Sequence, residues 1–163
     1  MQDMFPTNAP QIRMESPLSD DLDQIFASHV AAMHADTPPE SIHMMPRTDL
    51  VSDRIAFFVL RVDGQPAGMA ALKQLDAGHA ELKSMHVLAS YRGQGLSGAL
   101  LRHLLDHAAA HHIGRLSLET GIQPTFIAAR GLYRKAGFVE CPPFGDYRPD
   151  PNSVFMTIEL PAT

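Results

Sequence analysis

The sequence has little of what marks a disulfide-stabilised, membrane-spanning or nucleic-acid-binding protein. Its one cysteine, Cys141, excludes an internal disulfide and suits a reducing cytosol. The longest aliphatic-aromatic run, residues 55–60, is far too short to cross a bilayer. The 18 acidic side chains outnumber the 13 Lys and Arg, and the net charge of −5 argues against non-specific binding of nucleic acid. We therefore predict a cytoplasmic protein whose partners include neither nucleic acid nor a membrane.

Two sequence signals are also missing. No basic region followed by an apolar stretch stands at the N-terminus, so we expect no signal peptide. No G-x-x-x-x-G-K-S/T occurs, which disfavours a nucleotide-dependent phosphotransferase.

The 163 residues, 45% of them hydrophobic, are enough to bury a full core. We predict a disordered lead-in over residues 1–10 and a single domain over residues 11–163.

The most informative segment that is present is a glycine-containing turn within residues 91–101, YRGQGLSGALL. It follows a strand-like segment over residues 80–88 and opens a helix-like segment. Gly93 and Gly95 leave the backbone bare, and the helix start adds unpaired N–H groups and a partial positive charge. Such a turn can hold a phosphate or pyrophosphate, with Arg92 at its mouth; a purely structural turn is the alternative.

Hydrophobic periodicity and turn residues predict a mixed sheet with helices on both faces. Gly137 is expected to cap the last helix in the left-handed conformation. We predict strands over residues 11–15, 55–62, 67–75, 80–88, 115–119, 138–141 and 153–160, and helices over residues 22–33, 48–54, 96–110 and 126–136.

Two motifs resemble those of a known family. Arg92-x-x-Gly95-x-Ser97 resembles the R/Q-x-x-G-x-G/A signature of the GNAT superfamily, the acetyl-CoA-dependent N-acetyltransferases. Residues 132–138, LYRKAGF, are similar to that family's L-Y-x-K-x-G-F segment. The similarity covers residues 11–160 and points to an uncharacterised bacterial subgroup. It implies an α/β fold with a mixed, mostly antiparallel central sheet, acetyl-CoA as co-substrate, and no metal.

The resemblance also implies which residues contact acetyl-CoA. The glycine turn would hold the pyrophosphate, and the preceding strand, which is bulged in the family, would border the pantetheine arm. Ser97 stands where the signature has Gly or Ala, and we expect it either to crowd the pyrophosphate slightly or to donate an extra hydroxyl. Phe126 replaces a common asparagine, which puts one polar cofactor contact in doubt but not the fold. The implied cofactor contacts are Met85, His86, Val87, Arg92, Gly93, Gln94, Gly95, Leu96, Ser97, Phe126 and Ala129.

Acetyl transfer from a thioester to an amine needs a proton donor for the departing thiolate, and the resemblance implies Tyr133. A phenol with a pKa near 10 beside a thiol near 8.5 is a workable donor pair. The alternative is a buried core tyrosine on the helix face that also carries Phe126 and Ala129.

The amine must also lose a proton, because an alkyl amine with a pKa near 10.4 is charged at neutral pH. Glu81 lies where some family members carry a catalytic glutamate, and strand alternation places it on one face with Met85 and Val87. A solvated strand residue is the alternative. Glu119 is a second candidate, more as a substrate contact than as the base, and His86 is a third, with a structural role as its alternative.

We therefore predict an enzyme that transfers an acetyl group directly to the primary amine of a small molecule or amino-acid-like acceptor. The alternatives are a non-catalytic acyl-CoA-binding sensor module and a protein N-acetyltransferase. The sequence leaves a homodimer open. Residues 38–43 and 142–147 correspond to loops that border the acceptor pocket in the family, with ordinary loops as the alternative.

A histidine repeat completes the candidate features. His103, His107 and His111 recur every four residues, a spacing that can bind a metal. These histidines border the polar flank of the long helix, so we expect a solvated helix face and no metal.

Overall fold

The computed structural model describes residues 9–161. The predicted lead-in, residues 1–10, lies outside them except for Ala9 and Pro10, which are exposed and belong to no strand or helix. The strands and longer helices are β1 (Gln11–Met14), α1 (Asp23–Asp36), β2 (Ile55–Val62), β3 (Gln65–Asp76), β4 (His79–Val87), α2 (Leu96–Ala110), β5 (Arg115–Gly121), α3 (Ile127–Ala136), β6 (Val139–Glu140) and β7 (Ser153–Glu159). Single-turn 3-10 helices lie at Asp20–Leu22, Pro39–Ser41, Arg47–Leu50, Ala89–Tyr91 and Pro124–Phe126.

The strands form one sheet in the order β1-β2-β3-β4-β5-β7-β6. Only the neighbours β4 and β5 are parallel among the strands of residues 9–161, which confirms the mixed, mostly antiparallel sheet. Their pairing ends where Leu82 meets Leu118, although β4 runs to Val87 and β5 to Gly121. The two strands therefore part at their carboxyl ends, which opens the middle of the sheet.

Helices cover both faces of this sheet, as predicted. The α1 face includes Leu22, Ile25, Phe26, Phe57, Val59, Met69 and Ala71. The opposite face, against α2 and α3, includes Phe58, Leu60, Leu72, Leu82, Leu100, Leu104, Leu118 and Phe138. Gly137 ends α3 with a φ of +114°, the left-handed cap that the sequence indicated. Within the described residues, no helix has the length and apolar character needed to span a bilayer.

The histidine repeat on α2 is only partly a solvated face, so that expectation is wrong in part. His103 and His107 lie edge-on to the ring of Phe58, with centroids 5.4 and 4.9 Å away, and His111 stacks on His107. The first two histidines therefore close the rim of the core by aromatic packing. Over residues 9–161, no three His, Cys, Asp or Glu side chains form a metal-binding group.

A β-bulge interrupts β4 at Ser84, whose φ is +57°. Ala71 of β3 pairs with Lys83, whereas Met69, two residues away on β3, pairs with His86, three residues further along β4. One extra residue therefore lies on β4. The bulged strand that the family resemblance implied is present.

The bulge reverses the alternation of side chains along β4. Glu81 lies opposite Lys73 and His86 opposite Met69, on the α1 face. Met85 and Val87 pack into the core on the other face. The prediction that Glu81 shares a face with Met85 and Val87 is therefore wrong, because a single inserted residue moves everything beyond it to the opposite face.

Candidate functional site

A cleft of about 650 Å³ opens between β4, the start of α2, and α3. The cleft lies where β4 and β5 part. Predicted cofactor contacts from three separate segments line it: β4, the turn before α2, and the start of α3. Those that line it are Met85, His86, Val87, Arg92, Gly93, Gly95, Leu96, Ser97, Phe126 and Ala129; Gln94 does not. Their role as cofactor contacts stays a prediction.

The glycine turn has the geometry of an anion site. Gly93 and Gly95 have φ values of +80° and +75°, and a Cβ built at either position would meet no atom within 4 Å. No side chain caps α2, and its first intrahelical bond runs from the Ala99 N–H to the Gly95 carbonyl at 3.1 Å. The N–H groups of the first helical turn are therefore without helical acceptors at the wall of the cleft.

Arg92 is fixed at the mouth of the cleft. Its Nε donates a hydrogen bond of 3.2 Å to the carbonyl of Val87, the last residue of β4. Its terminal nitrogens make no hydrogen bond within residues 9–161. The guanidinium is thus held in place with donors left for an anionic ligand.

A smaller cavity of about 120 Å³ lies beside the cleft and is lined by residues of both sheet faces, Glu81 among them; we call it the inner cavity. It and the cleft share His29, Met33, Met85, Phe126, Ala129 and Tyr133. The two spaces therefore meet where β4 and β5 part.

Two loops contribute to the walls of the inner cavity, through His43, Met44 and Met45 on one side and Tyr147 on the other. The loops are joined by Asp150, whose Oδ1 accepts a hydrogen bond from Ser41 Oγ at 3.0 Å and whose Oδ2 lies 3.4 Å from His43 Nε2. These are the two loops that the family resemblance placed beside an acceptor pocket, and the structure places both at the inner cavity.

Tyr133 lies at the junction of the cleft and the inner cavity, with a residue exposure of 7%. Its hydroxyl lies 3.8 Å from the sulfur of Met85, a weak acceptor, and its ring packs against Phe138. Burial raises the pKa of Tyr133 to about 12, so the phenol keeps its proton throughout the neutral range. The side chain is at once part of the core and part of both walls.

Glu81 is buried, with an exposure of 3%, so the alternative of a solvated strand residue is wrong. Its Oε2 accepts hydrogen bonds from Tyr147 Oη at 2.5 Å and Lys83 Nζ at 3.3 Å. No hydrogen bond reaches Oε1 from residues 9–161. One oxygen is thus held, and the other is left for a ligand or water.

Lys83 and Tyr147 are functional candidates that the sequence reasoning missed. Lys83 Nζ also donates to Tyr147 Oη at 3.0 Å and to the His43 carbonyl at 3.2 Å, so its three protons have acceptors. Burial raises the pKa of Tyr147, and the neighbouring Glu81 carboxylate raises it further. Tyr147 comes from a loop far along the chain, and no spacing rule connects it with Glu81.

Glu119 lines the same inner cavity as Glu81. Its Oε2 accepts a hydrogen bond of 2.7 Å from Ser153 Oγ. Burial raises the pKa of Glu119, opposed by the Ser153 hydrogen bond and by nearby His43 and Lys83. Unlike Glu81, it has no cation within ion-pair distance among the described residues. The roles of both carboxylates stay predictions.

His86 is buried and packs against the half-buried His29 of α1. The ring centroids lie 5.2 Å apart, and His86 Nε2 is 2.8 Å from Ser28 Oγ. Burial lowers the pKa of each histidine to about 4, so both are neutral at physiological pH. Such a weak base gives His86 little capacity to take a proton from an alkyl amine.

A family model, sequence relatives and solved structures all point to the same family. The model of the acetyltransferase (GNAT) family matches residues 22–138. The uncharacterized N-acetyltransferase YedL of Escherichia coli (strain K12) is 42% identical over 136 residues, 83% of this chain and 86% of that protein. An IAA acetyltransferase of Azospirillum brasilense is 38% identical over 147 residues, 89% of this chain and 94% of that protein. A crystal structure from Klebsiella pneumoniae subsp. pneumoniae MGH 78578, provisionally named an acyl-CoA N-acyltransferase, covers 94% of this chain and 99% of its own at 27% identity and a TM-score of 0.77.

Proposed function

The chain belongs to the acetyltransferase (GNAT) family, and from this premise we propose that it transfers an acetyl group directly from acetyl-CoA to the primary amine of a small acceptor. As a member of this family it is an acyltransferase, and the family uses acetyl-CoA as its co-substrate. The observation that carries the proposal is the position of Tyr133. Tyr133 lines both the cleft, which contains the glycine turn, and the inner cavity, which contains two carboxylates, and its hydroxyl lies 3.8 Å from the sulfur of Met85, another residue that lines both spaces.

The cleft fits acetyl-CoA in three respects. The first-turn N–H groups of α2 and the Arg92 guanidinium suit a pyrophosphate. The open space above Gly93 and Gly95 admits a ligand close to the backbone. Residues 83–87 of β4 have no β5 partner, so this edge is available to an extended arm. When bound, acetyl-CoA supplies the acetyl group as a thioester and leaves as the free thiol.

The chain's own residues supply the proton chemistry. Glu81 takes the proton of the acceptor amine at its free Oε1, directly or through water, while Tyr147 and Lys83 hold Oε2. Tyr133 keeps a proton on its hydroxyl at the junction, available to a departing thiolate. Glu119 contacts the acceptor, because it is the inner-cavity carboxylate that no described cation pairs.

A small acceptor is favoured by the size of the inner cavity, about 120 Å³, and by the two loops that bound it. A protein acceptor would need an open groove. One relative is named an IAA acetyltransferase, and this gives one acceptor to include in a substrate panel.

Thiol release from acetyl-CoA, measured over a panel of amines, IAA and N-terminal peptides, tests the proposed function. Acetylation of one or more small amines is the expected result. Acetyl-CoA binding without thiol release from any acceptor would favour the sensor module, and turnover confined to peptides would favour a protein N-acetyltransferase.

The two inner-cavity carboxylates are expected to give different kinetic signatures. Glu81→Gln should lower kcat and make the rate rise with pH toward the amine's own pKa, because the proton acceptor is lost. Glu119→Gln should raise KM and leave kcat largely unchanged, because a binding contact is lost. Steady-state kinetics across pH separate the two effects. Wild-type profiles for both variants would remove both carboxylates from the proposed site.

A further inference from the structure

A third space lies beyond the hydrogen-bonded group of Glu81, Tyr147 and Lys83. This outer cavity, of about 560 Å³, shares these three residues with the inner cavity, together with His43 and Met44. It has no lining residue in common with the cleft. An acceptor with its amine in the inner cavity therefore has room for a larger remainder in the outer cavity.

Lys73 is the distinctive charge of the outer cavity. It lies on β3 directly opposite Glu81, on the same face of the sheet. The side chain is half-buried, and it makes no ion pair or hydrogen bond with any described residue. A partly buried cation without a partner has a desolvation cost that an anionic ligand would offset.

The other charged groups at the outer cavity are already satisfied or solvated. The Lys83 protons have acceptors in Glu81, Tyr147 and the His43 carbonyl. Asp76 and Asp146 are exposed, so water screens their charges.

The histidines of the outer cavity are accounted for as well. His79 Nε2 lies 2.8 Å from Ser117 Oγ, and His43 Nε2 lies 3.4 Å from Asp150. Lys73 is thus the partly buried charge of this cavity that a ligand can pair.

We propose that the acceptor is an amino carboxylate that binds with its amine between Glu81 and Glu119 and its carboxylate on Lys73. This inference rests on the proposed function and names its acceptor class. Lys73 and Glu81 are directly paired on β3 and β4, whose paired Cα atoms lie about 5 Å apart, so we expect a short carbon spacer between the two groups. The carboxylate binds at Lys73 and does not replace Glu81 on Lys83.

The test compares wild type, Lys73→Met and Lys73→Arg on amines matched in length. Linear ω-amino carboxylates, n-alkylamines and diamines with two to six carbons form the panel. Thiol release gives kcat/KM for each. Lys135→Met, which removes an exposed lysine on α3, is the matched control for loss of one positive charge.

Wild type should prefer an amino carboxylate to the alkylamine of equal length. Lys73→Met should lower that preference roughly 10-fold or more, mainly through KM, as expected for loss of a hydrogen bond to a charged group. Lys73→Arg should restore part of the preference, and Lys135→Met should leave it unchanged.

Three outcomes would overturn the inference while leaving the proposed function intact: preference for diamines, equal use of alkylamines, or a preference that Lys73→Met does not alter. Failure of every amine to release thiol from bound acetyl-CoA would instead contradict the proposed function.

Discussion

Tyr133→Phe is expected to lower kcat by ~10²–10⁴-fold, the range for loss of a general acid, with little change in acetyl-CoA affinity. The substitution keeps the ring, its packing on Phe138 and its place between the cleft and the inner cavity. It removes only a hydroxyl whose nearest described partner is the weakly accepting sulfur of Met85. The initial rate of thiol release at saturating acetyl-CoA and acceptor measures the loss of kcat.

Tyr91→Phe is the matched comparison for this prediction. Tyr91 lines the cleft but not the inner cavity, so the variant removes a hydroxyl from the same cleft away from the junction. Its kcat should stay within a few-fold of wild type. Because burial raises the pKa of Tyr133 to about 12, no loss of activity from its ionisation is expected in the neutral range. Full turnover by Tyr133→Phe would leave Tyr133 as a core residue only.

Gly95→Asp is expected to abolish stabilisation of the protein by acetyl-CoA. In the wild type, a ligand at ~100 times its Kd adds ~2.7 kcal/mol to the free energy of unfolding and raises the melting temperature. The variant places a carboxylate at the start of α2, where the first-turn N–H groups otherwise favour an anion. A thermal shift assay with and without acetyl-CoA measures the difference.

Two control variants separate the effect of the added charge from the effect of backbone strain. Gly95→Ala carries at least as large a backbone penalty at a φ of +75° but no charge, and it should keep part of the shift. Gly131→Asp adds the same charge on an exposed part of α3 outside the cleft lining, and it should keep the full shift. A wild-type melting curve unmoved by millimolar acetyl-CoA would contradict the cofactor assignment at its first step.

The elements that sequence reasoning located best are those with a strong local signal. The order of strands and helices follows from periodicity and from glycine positions such as Gly137, each of which depends on a few neighbouring residues. The strand boundaries were less exact, and the helix predicted over residues 48–54 is a single 3-10 turn, Arg47–Leu50. A segment of seven mostly polar residues carries too little periodic signal to define a helix.

The candidate site was located in outline but not in detail. The sequence alone indicates the glycine turn, Tyr133 and the two glutamates, and the structure places them around the cleft and the adjoining inner cavity. The family resemblance implied a bulge in this strand but not its position at Ser84, because an inserted residue changes pairing without changing composition. Tyr147 and Lys73 reach the site only through long-range folding, which no local pattern encodes.

Phe126 shows how a departure from a motif can have a structural reason. Its ring occupies the space beside Gly121, where a Cβ would lie 2.6 Å from the ring carbons. Arg130 donates a hydrogen bond of 2.6 Å to the Gly121 carbonyl, which joins α3 to the end of β5. The aromatic ring therefore fills the angle between the parted strand and α3 and forms part of both the cleft and the inner cavity.

The arrangement of the three spaces has a consequence for the order of events during turnover. The cleft and the outer cavity share no lining residue, and each of them adjoins the inner cavity. Within the proposed function, acetyl-CoA and the acceptor approach from different sides, and neither obstructs the other's path. Either reactant can then arrive first, both are present together before reaction, and double-reciprocal plots intersect instead of running parallel. Each product also has its own exit, so neither has to wait for the other to leave.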